Sequence, residues 1–279
     1  MSSESLPHRQ RGLIAVYVLL SLGAIIMIAP YVTEVLTSLK TYEETVRVPP
    51  AIFPAVPMFS NYLEVSTASF PIYVQIGNSL VVALARIAGQ VLFCSMAAFA
   101  FARLRFRFRN ALFALFLSVL MVPSQLFLIP QYQLMQQLNL LDTLPALFLP
   151  GIFSAFGVFL LRQFFLSLPA DIEEAARLDG ANPWQIYWRV LLPLTRPALA
   201  ALALLTLVSS WSDLLWPLIV NSAPDRLPIS VGLANLVGEY VTPYQIVMAG
   251  AVIASAPVIV IFLIGQRQFI QGLQAGAVK

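Results

Sequence analysis

Residues 13–33 read LIAVYVLLSLGAIIMIAPYVT, and this stretch decides the class of fold. It carries no charged side chain, and about 20 such residues in a helix cross the ~30 Å hydrocarbon core of a bilayer. The stretch is longer than the apolar core of a signal peptide, which is about 7–15 residues, and no Ala-x-Ala-like cleavage site follows it. We therefore expect an uncleaved first membrane span.

The composition of the whole chain agrees with a membrane protein. Of its 279 residues, 59% are apolar and 10% are charged, and the mean hydropathy is +0.83. An ordinary soluble domain carries about 25% charged residues. A water-soluble enzyme is excluded, because too little polar surface is available to cover a globule. The net charge of +3 does not indicate nucleic-acid binding, since basic residues in a membrane protein mainly set its orientation.

Five further apolar blocks follow, so the predicted fold class is an all-α polytopic membrane protein with six transmembrane helices. The spans are expected at about 13–33, 76–101, 110–133, 144–166, 197–219 and 246–265. With the N terminus inside, 12 of the 16 Lys and Arg residues fall in inner segments and three in outer ones, and Arg86 lies within the second span. This bias places both termini in the cytoplasm.

The chain is expected to form one permease domain over residues 13–265, between cytoplasmic tails at 1–12 and 266–279. The outer loop at about 34–75 is long and rich in proline. We see no internal repeat, whereas many secondary transporters have two related halves. The chain has one cysteine, Cys94, and one histidine, His8, so we expect no catalytic constellation and no Cys/His metal site.

The inner segment at about 167–196 reads SLPADIEEAARLDGANPWQIYWRVLLPLTR and predicts a helix–turn–helix. Its acidic residues favour a helix N terminus, and Gly180 can take the left-handed conformation that ends the helix. Asn182, Pro183 and Gln185 then form the cap, first position and capping box of a second helix. From the residues alone, the segment is either a structured linker on the membrane surface or a docking element for a cytoplasmic partner.

The order of residues in this segment resembles the EAA loop of ABC importer permeases. Glu174-Ala175-Ala176 is followed after three residues by Gly180, and after nine more by Val190-Leu191-Leu192-Pro193, with Val190 in place of Ile as the only departure. In that family the loop is a coupling helix that seats in a cleft of the ATPase subunit. The coupling residues implied by the resemblance are Glu173, Glu174, Ala175, Ala176, Asp179, Gly180, Leu192 and Pro193.

Other stretches over about 76–279 resemble the maltose-type permeases of binding-protein-dependent carbohydrate uptake. These stretches are Ala97–Arg103, Met121–Pro123, Leu140–Thr143, Trp211–Pro217 and the C-terminal Gly272–Lys279. In maltose-type permeases this C-terminal segment reaches into the ATPase dimer interface, which implies ATPase contacts for Gln274, Ala275 and Gly276.

The resemblance implies a permease subunit of an ATP-driven importer for a carbohydrate or related solute. The implied partners are a second, non-identical permease subunit, an ABC ATPase dimer, an extracytoplasmic solute-binding protein and the lipid bilayer of a bacterial or archaeal inner membrane, with no nucleic acid. The chain has no phosphate-binding Gly-x-x-x-x-Gly-Lys-Ser/Thr loop, so we expect it to bind no cofactor and the separate ATPase to use ATP and Mg²⁺. The alternatives are a polyol or glycerol-phosphate importer, an ion-coupled secondary transporter and a membrane enzyme. The membrane enzyme is the weakest alternative, because we find no set of catalytic residues for it.

Polar and aromatic side chains inside the spans are candidates for a substrate path, because burying them in lipid is costly. They are Arg86, Gln90, Gln125, Trp211, Asp213 and Trp216. For Arg86 the readings are an ion pair, with Asp213 or with a partner subunit, and direct contact with an anionic solute. The two tryptophans could instead belong to an interfacial aromatic belt.

Overall fold

The computed structural model describes residues 6–66, 71–237 and 242–277, and every regular element in these ranges is helical. The first eight helices are α1 (Leu6–Ser38), α2 (Tyr42–Val46), α3 (Asn61–Glu64), α4 (Ile72–Arg103), α5 (Arg109–Met121), α6 (Ser124–Gln137), α7 (Leu144–Gly151) and α8 (Ala155–Ser167). The others are α9 (Asp171–Leu178), α10 (Pro183–Leu194), α11 (Arg196–Trp211), α12 (Leu215–Val220), α13 (Ile229–Asn235) and α14 (Tyr244–Ala277).

Three of these helices are long and apolar enough to cross a membrane alone, namely α1, α4 and α14. Three bent pairs pass the same test together: α5 with α6, α7 with α8, and α10 with α11, bent by 95°, 44° and 74°. The described residues thus hold up to six spans if each bent pair crosses once. The predicted all-α polytopic fold is confirmed.

The fifth span differs from the prediction of one helix at about 197–219. Helix α11 ends at Trp211, and α12 begins only at Leu215. The physical reason is Pro217, which has no N–H to donate to the carbonyl of Asp213 and whose ring would clash with that carbonyl. Asp213 therefore lies in a break between two helices and not within a continuous span.

The carbonyl groups released at such breaks find side-chain donors. The hydroxyl of Ser230 donates to the Asp213 carbonyl at 2.6 Å. Pro150 disrupts α7 in the same way, and the carbonyl four residues earlier, Ala146, accepts the indole N–H of Trp216 at 2.9 Å. Breaks in membrane helices persist where neighbouring groups satisfy the backbone in this manner.

The described residues pack into two compact units, one formed by 6–66 with 235–237 and 242–253 and the other by 71–234 with 254–277. In the first unit, a polar cluster closes the chain after α1. The amide of Asn61 donates to the carbonyls of Ser38 and Lys40, and the hydroxyls of Ser38 and Tyr62 lie 2.7 Å apart. Part of the predicted outer loop is therefore ordered around the end of α1.

The core of the second unit joins α4, α8 and α10 near the predicted cytoplasmic side. Tyr187 of α10 is buried, its hydroxyl lies 2.7 Å from that of Ser95, and its ring packs on Phe99. Leu161 and Phe165 of α8 complete the cluster. The second helix of the predicted helix–turn–helix is thus part of the core.

At the other end of this unit, Asp142 joins two loops. Its carboxylate accepts the backbone N–H groups of Ser222 and Ala223 at 3.0 and 3.1 Å, and Arg226 donates to the Asp142 carbonyl at 2.9 Å. The N–H groups of Ala223 and Ser222 hold the pKa of Asp142 below its ordinary value of 3.8. Because this pKa is lowered in the folded state, the carboxylate stabilises the loops at neutral pH, and the effect is lost only as the pH falls through the folded pKa.

We expect Asp142→Ala to loosen the 222–226 loop without unfolding the spans. Hydrogen bonds to a charged acceptor contribute about 1.5–3 kcal/mol, so amide exchange at Ser222 and Ala223 should accelerate by about tenfold or more. Hydrogen–deuterium exchange by mass spectrometry measures this. Asp142→Asn, which keeps one acceptor oxygen, should give a smaller acceleration, and equal exchange in all three proteins would contradict the assignment.

Candidate coupling surface and solute cavity

The predicted turn of the inner segment is confirmed. Gly180 has a φ of +83°, and Asn182 and Gln185 form a reciprocal capping box with both bonds at 2.9 Å. A Cβ at residue 180 would meet no atom within 4 Å, so what glycine supplies here is the left-handed backbone and not space.

Helix α9 is fixed to the rest of the second unit through a buried carboxylate. Glu173 Oε1 lies 2.8 Å from Arg103 Nε, and Glu173 Oε2 lies 3.6 Å from Arg177. The Nε–H of Arg103 does not point at the carboxylate as a hydrogen bond requires, so this contact is an ion pair. Both side chains of the Glu173–Arg103 pair are nearly buried, and a buried charge without its partner is strongly destabilising.

Arg103 is the last residue of α4 and also caps α8. Its guanidinium donates to the carbonyls of Phe165 and Leu168, the latter at 2.7 Å. One side chain therefore joins the ends of α4 and α8 to α9. In the sequence, Arg103 is one of several basic residues that set orientation, and its role as the ion-pair partner of Glu173 was missed. The one available signal is that a glutamate of the EAA loop, once buried, needs a cation beside it.

The structure divides the predicted coupling residues into exposed and packed members. Asp171, Glu174, Ala175 and Leu178 lie at helical spacing on one exposed face of α9, and Leu178 is 89% exposed. We call these four residues the α9 face. Asp179, Gly180 and Pro193 are also exposed, whereas Glu173 is buried, and Ala176 and Leu192 pack against the core.

The three tail residues with implied ATPase contacts, Gln274, Ala275 and Gly276, fall within the last turns of α14. Their side chains lie outside the described residues, and the implied contacts stay a prediction.

Four of the six substrate-path candidates line one cavity in the second unit. These are Arg86, Gln125, Asp213 and Trp216, around a volume of about 250 Å³. Ser124 and Gln131 add further polar groups, with Phe127, Leu128, Pro150, Gly151 and Leu215 completing the wall. The breaks around Pro123, Pro150 and Asp213 all open onto this cavity, so the disrupted helices create it.

The other two candidates have structural partners beside the cavity. Gln90 donates to the Gly151 carbonyl at 2.8 Å and accepts from Thr206 at 2.9 Å. Trp211 donates its indole N–H to the Ala254 carbonyl at 3.1 Å. Because both Trp211 and Trp216 are buried with satisfied N–H groups, they fit a packed core better than an interfacial belt.

Arg86 and Asp213 form an ion pair, with Nη2 and Oδ2 3.0 Å apart. The guanidinium of Arg86 also donates to the Leu147 carbonyl, which lies in the helix disrupted by Pro150. Of the readings left open for Arg86, the structure shows the pair with Asp213. The pair links α4 to the break after α11, and the bond to Leu147 links α4 to α7.

A larger cavity of about 430 Å³ lies where α10 meets α4 and suits a hydroxylated solute poorly. Its lining residues are mostly apolar: Asn182 and Tyr187 use their polar groups in hydrogen bonds within the protein, and the indole N–H of Trp184 is the remaining side-chain polar group. The smaller cavity at Arg86 and Asp213 is therefore the better candidate for contact with a solute.

Comparisons with known proteins agree with these features. The chain is 35% identical over 258 residues to the arabinooligosaccharides transport system permease protein AraQ of Halalkalibacterium halodurans, which covers 92% of each chain. It is 33% identical over 274 residues to the sn-glycerol-3-phosphate transport system permease protein UgpE of Agrobacterium fabrum, covering 95% of this chain and 97% of the relative.

A solved bacterial ABC transporter involved in the import of the acidic polysaccharide alginate contains a similar chain. It matches with a TM-score of 0.82 and 25% identity over 96% of this chain and 100% of that one. The profile of the family described as binding-protein-dependent transport system inner membrane component matches residues 90–274. The chain therefore belongs to this family, as a multi-pass permease of ABC importers rather than an enzyme.

Proposed function

We propose that the chain is a membrane-spanning permease subunit through which an ABC importer moves a carbohydrate or related solute. The observation that carries the proposal is the α9 face, an exposed surface held rigidly to two spans by the Glu173–Arg103 pair. A docking element for an ATPase needs both properties, since it must be accessible and must transmit force. Family membership favours ATP-driven import over the ion-coupled alternative.

In the proposed mechanism, closure of a separate ATPase dimer moves α9. The Glu173–Arg103 pair passes the movement to the end of α4, the helix that also carries Arg86. Arg103 lies seventeen positions after Arg86, which is about 25 Å along a helix. The cavity can thus respond to an event on the cytoplasmic side, which alternating access requires. ATP and Mg²⁺ are bound by the ATPase and not by this chain.

The proposed partners are a second, non-identical permease subunit, the ABC ATPase dimer and an extracytoplasmic binding protein, in an inner membrane. The family description supports the binding protein and the membrane. A solved alginate transporter of the same fold is in complex with an alginate pentasaccharide-bound periplasmic protein. The relatives are named for arabinooligosaccharides and for sn-glycerol 3-phosphate, so they support both a neutral and an anionic solute.

The tagged full chain should recover an ATPase and a second permease subunit from membranes in mild detergent. Leu178→Asp places a charge on the α9 face and should lower the recovered ATPase about tenfold, because charged side chains are costly in the centre of an interface. Leu63→Asp is the matched control, since Leu63 is 78% exposed on α3 and should leave recovery unchanged. Undiminished recovery with Leu178→Asp would argue against docking through this face.

The turn at Gly180 should be needed for coupling and not for membrane insertion. Gly180→Val places a β-branched residue in the left-handed region, at about 1–2 kcal/mol or more, and should shift α9 relative to α10. We expect solute-stimulated ATPase activity of the reconstituted complex to fall about tenfold, with normal amounts of the chain in membranes. Asparagine tolerates this conformation, so Gly180→Asn should retain most of the activity. Full activity of the valine variant would refute the prediction.

A further inference from the structure

We propose that the cavity between Arg86, Gln125, Asp213 and Trp216 is a subsite for one uncharged carbohydrate unit and not for an anionic solute such as a glycerol phosphate. The inference rests on the proposed function and assigns the substrate class that the relatives leave open.

The size of the cavity limits what it can hold. Its volume is about 250 Å³. Sites for drug-sized ligands run from about 300 to 1,000 Å³. A single sugar ring with its hydroxyl groups is therefore a better match than an oligosaccharide, of which one unit at a time would occupy the subsite.

The charge of the cavity is balanced. Among its lining residues, only Arg86 and Asp213 are charged, and they pair at 3.0 Å. The carboxylate is the more accessible partner, at 23% exposure of the side chain against 11% for the arginine. An incoming anion would therefore meet a carboxylate first and would find the guanidinium already neutralised.

Arg86 is also held in place and cannot easily turn toward a ligand. Its guanidinium donates to the Leu147 carbonyl and lies directly against Gly151, where a Cβ would approach Arg86 Nε to 2.7 Å. For the guanidinium to turn toward an anion, Nε and Nη2 would have to leave both the Leu147 carbonyl and Asp213.

The remaining polar groups suit hydroxyl groups. Gln125 and Gln131 each carry an amide that donates and accepts hydrogen bonds, and Ser124 carries a hydroxyl that does both. Asp213 accepts only. Trp216 has given its N–H to the Ala146 carbonyl, so the small part of its ring that borders the cavity is apolar and suits a sugar's C–H groups. The set matches a neutral polyhydroxylated ring.

The test measures ligand binding to the purified complex of the full chain with its co-purified subunits, without a binding protein. The probes are L-arabinose, D-glucose and maltose as uncharged sugars, and sn-glycerol 3-phosphate and D-glucuronate as anions. Saturation-transfer NMR detects weak contact and gives dissociation constants by titration. We expect at least one uncharged sugar to bind the wild-type complex about tenfold more tightly than either anion, a difference of about 1.4 kcal/mol.

Substitutions then locate the binding. Asp213→Asn leaves Arg86 unneutralised and should raise the affinity for sn-glycerol 3-phosphate about tenfold, while Gln125→Ala should weaken sugar binding without any gain for the anions. Asp225→Asn is the matched control, because Asp225 is exposed outside the cavity and should change neither. Gln125 is exposed and uncharged, so its variant serves if the Asp213 variant fails to assemble.

Tighter wild-type binding of either anion would overturn the subsite, as would sugar binding that Gln125→Ala leaves unchanged, or the absence of binding by every probe. If the complex still contains its ATPase, any of these three outcomes would leave the proposed permease function standing. Loss of the ATPase from the wild-type complex would instead count against the proposed function itself.

Discussion

The requirement that no backbone polar group stays unpaired in lipid governs the arrangement of the second unit. Pro150 and Pro217 each deprive a carbonyl of its helical donor, at Ala146 and at Asp213. Trp216 and Ser230 supply replacement donors at 2.9 and 2.6 Å. Because each replacement comes from another segment, each repair also fixes one segment against another. The breaks therefore join the helices as well as interrupting them, which is how irregular backbone is tolerated at membrane depth.

The same repairs define the candidate solute cavity. The carbonyl of Leu147, in the helix that Pro150 disrupts, accepts from Arg86, and Asp213, in the break after α11, pairs through its carboxylate with the same guanidinium. Arg86 thus links α4 to α7 and to Asp213, and it also lines the cavity. A polar residue inside a membrane protein is a functional candidate by default, but here the structural role is shown and the functional one is inferred from the space that it borders.

Local signals in the sequence predicted the inner segment well. A capping box, a glycine with positive φ and prolines at helix starts are all fixed by neighbours within a few residues. The prediction of the fifth span was wrong at its outer end, because the apolar residues of α12 follow α11 closely and hydropathy does not register that Pro217 removes a hydrogen-bond donor. The pairs Arg86–Asp213 and Arg103–Glu173 join distant residues of the chain. Which residues pair depends on how the helices pack. The residue types alone suggest each ion pair as one option among several and do not select it.

Coupling across the membrane needs a stiff element whose two ends are tied to different events. Helix α4 has this form, with Arg103 held to α9 and α8 at one end and Arg86 held to α7 and Asp213 about 25 Å away. It is not uniform, because a turn of π-helix occupies Gln90–Cys94 between the two arginines. Such turns insert an extra residue into the helical ladder and are frequent at functional sites. Gln90 begins that turn and is bound to Gly151 and Thr206, so any change of register there would reach the wall of the cavity directly.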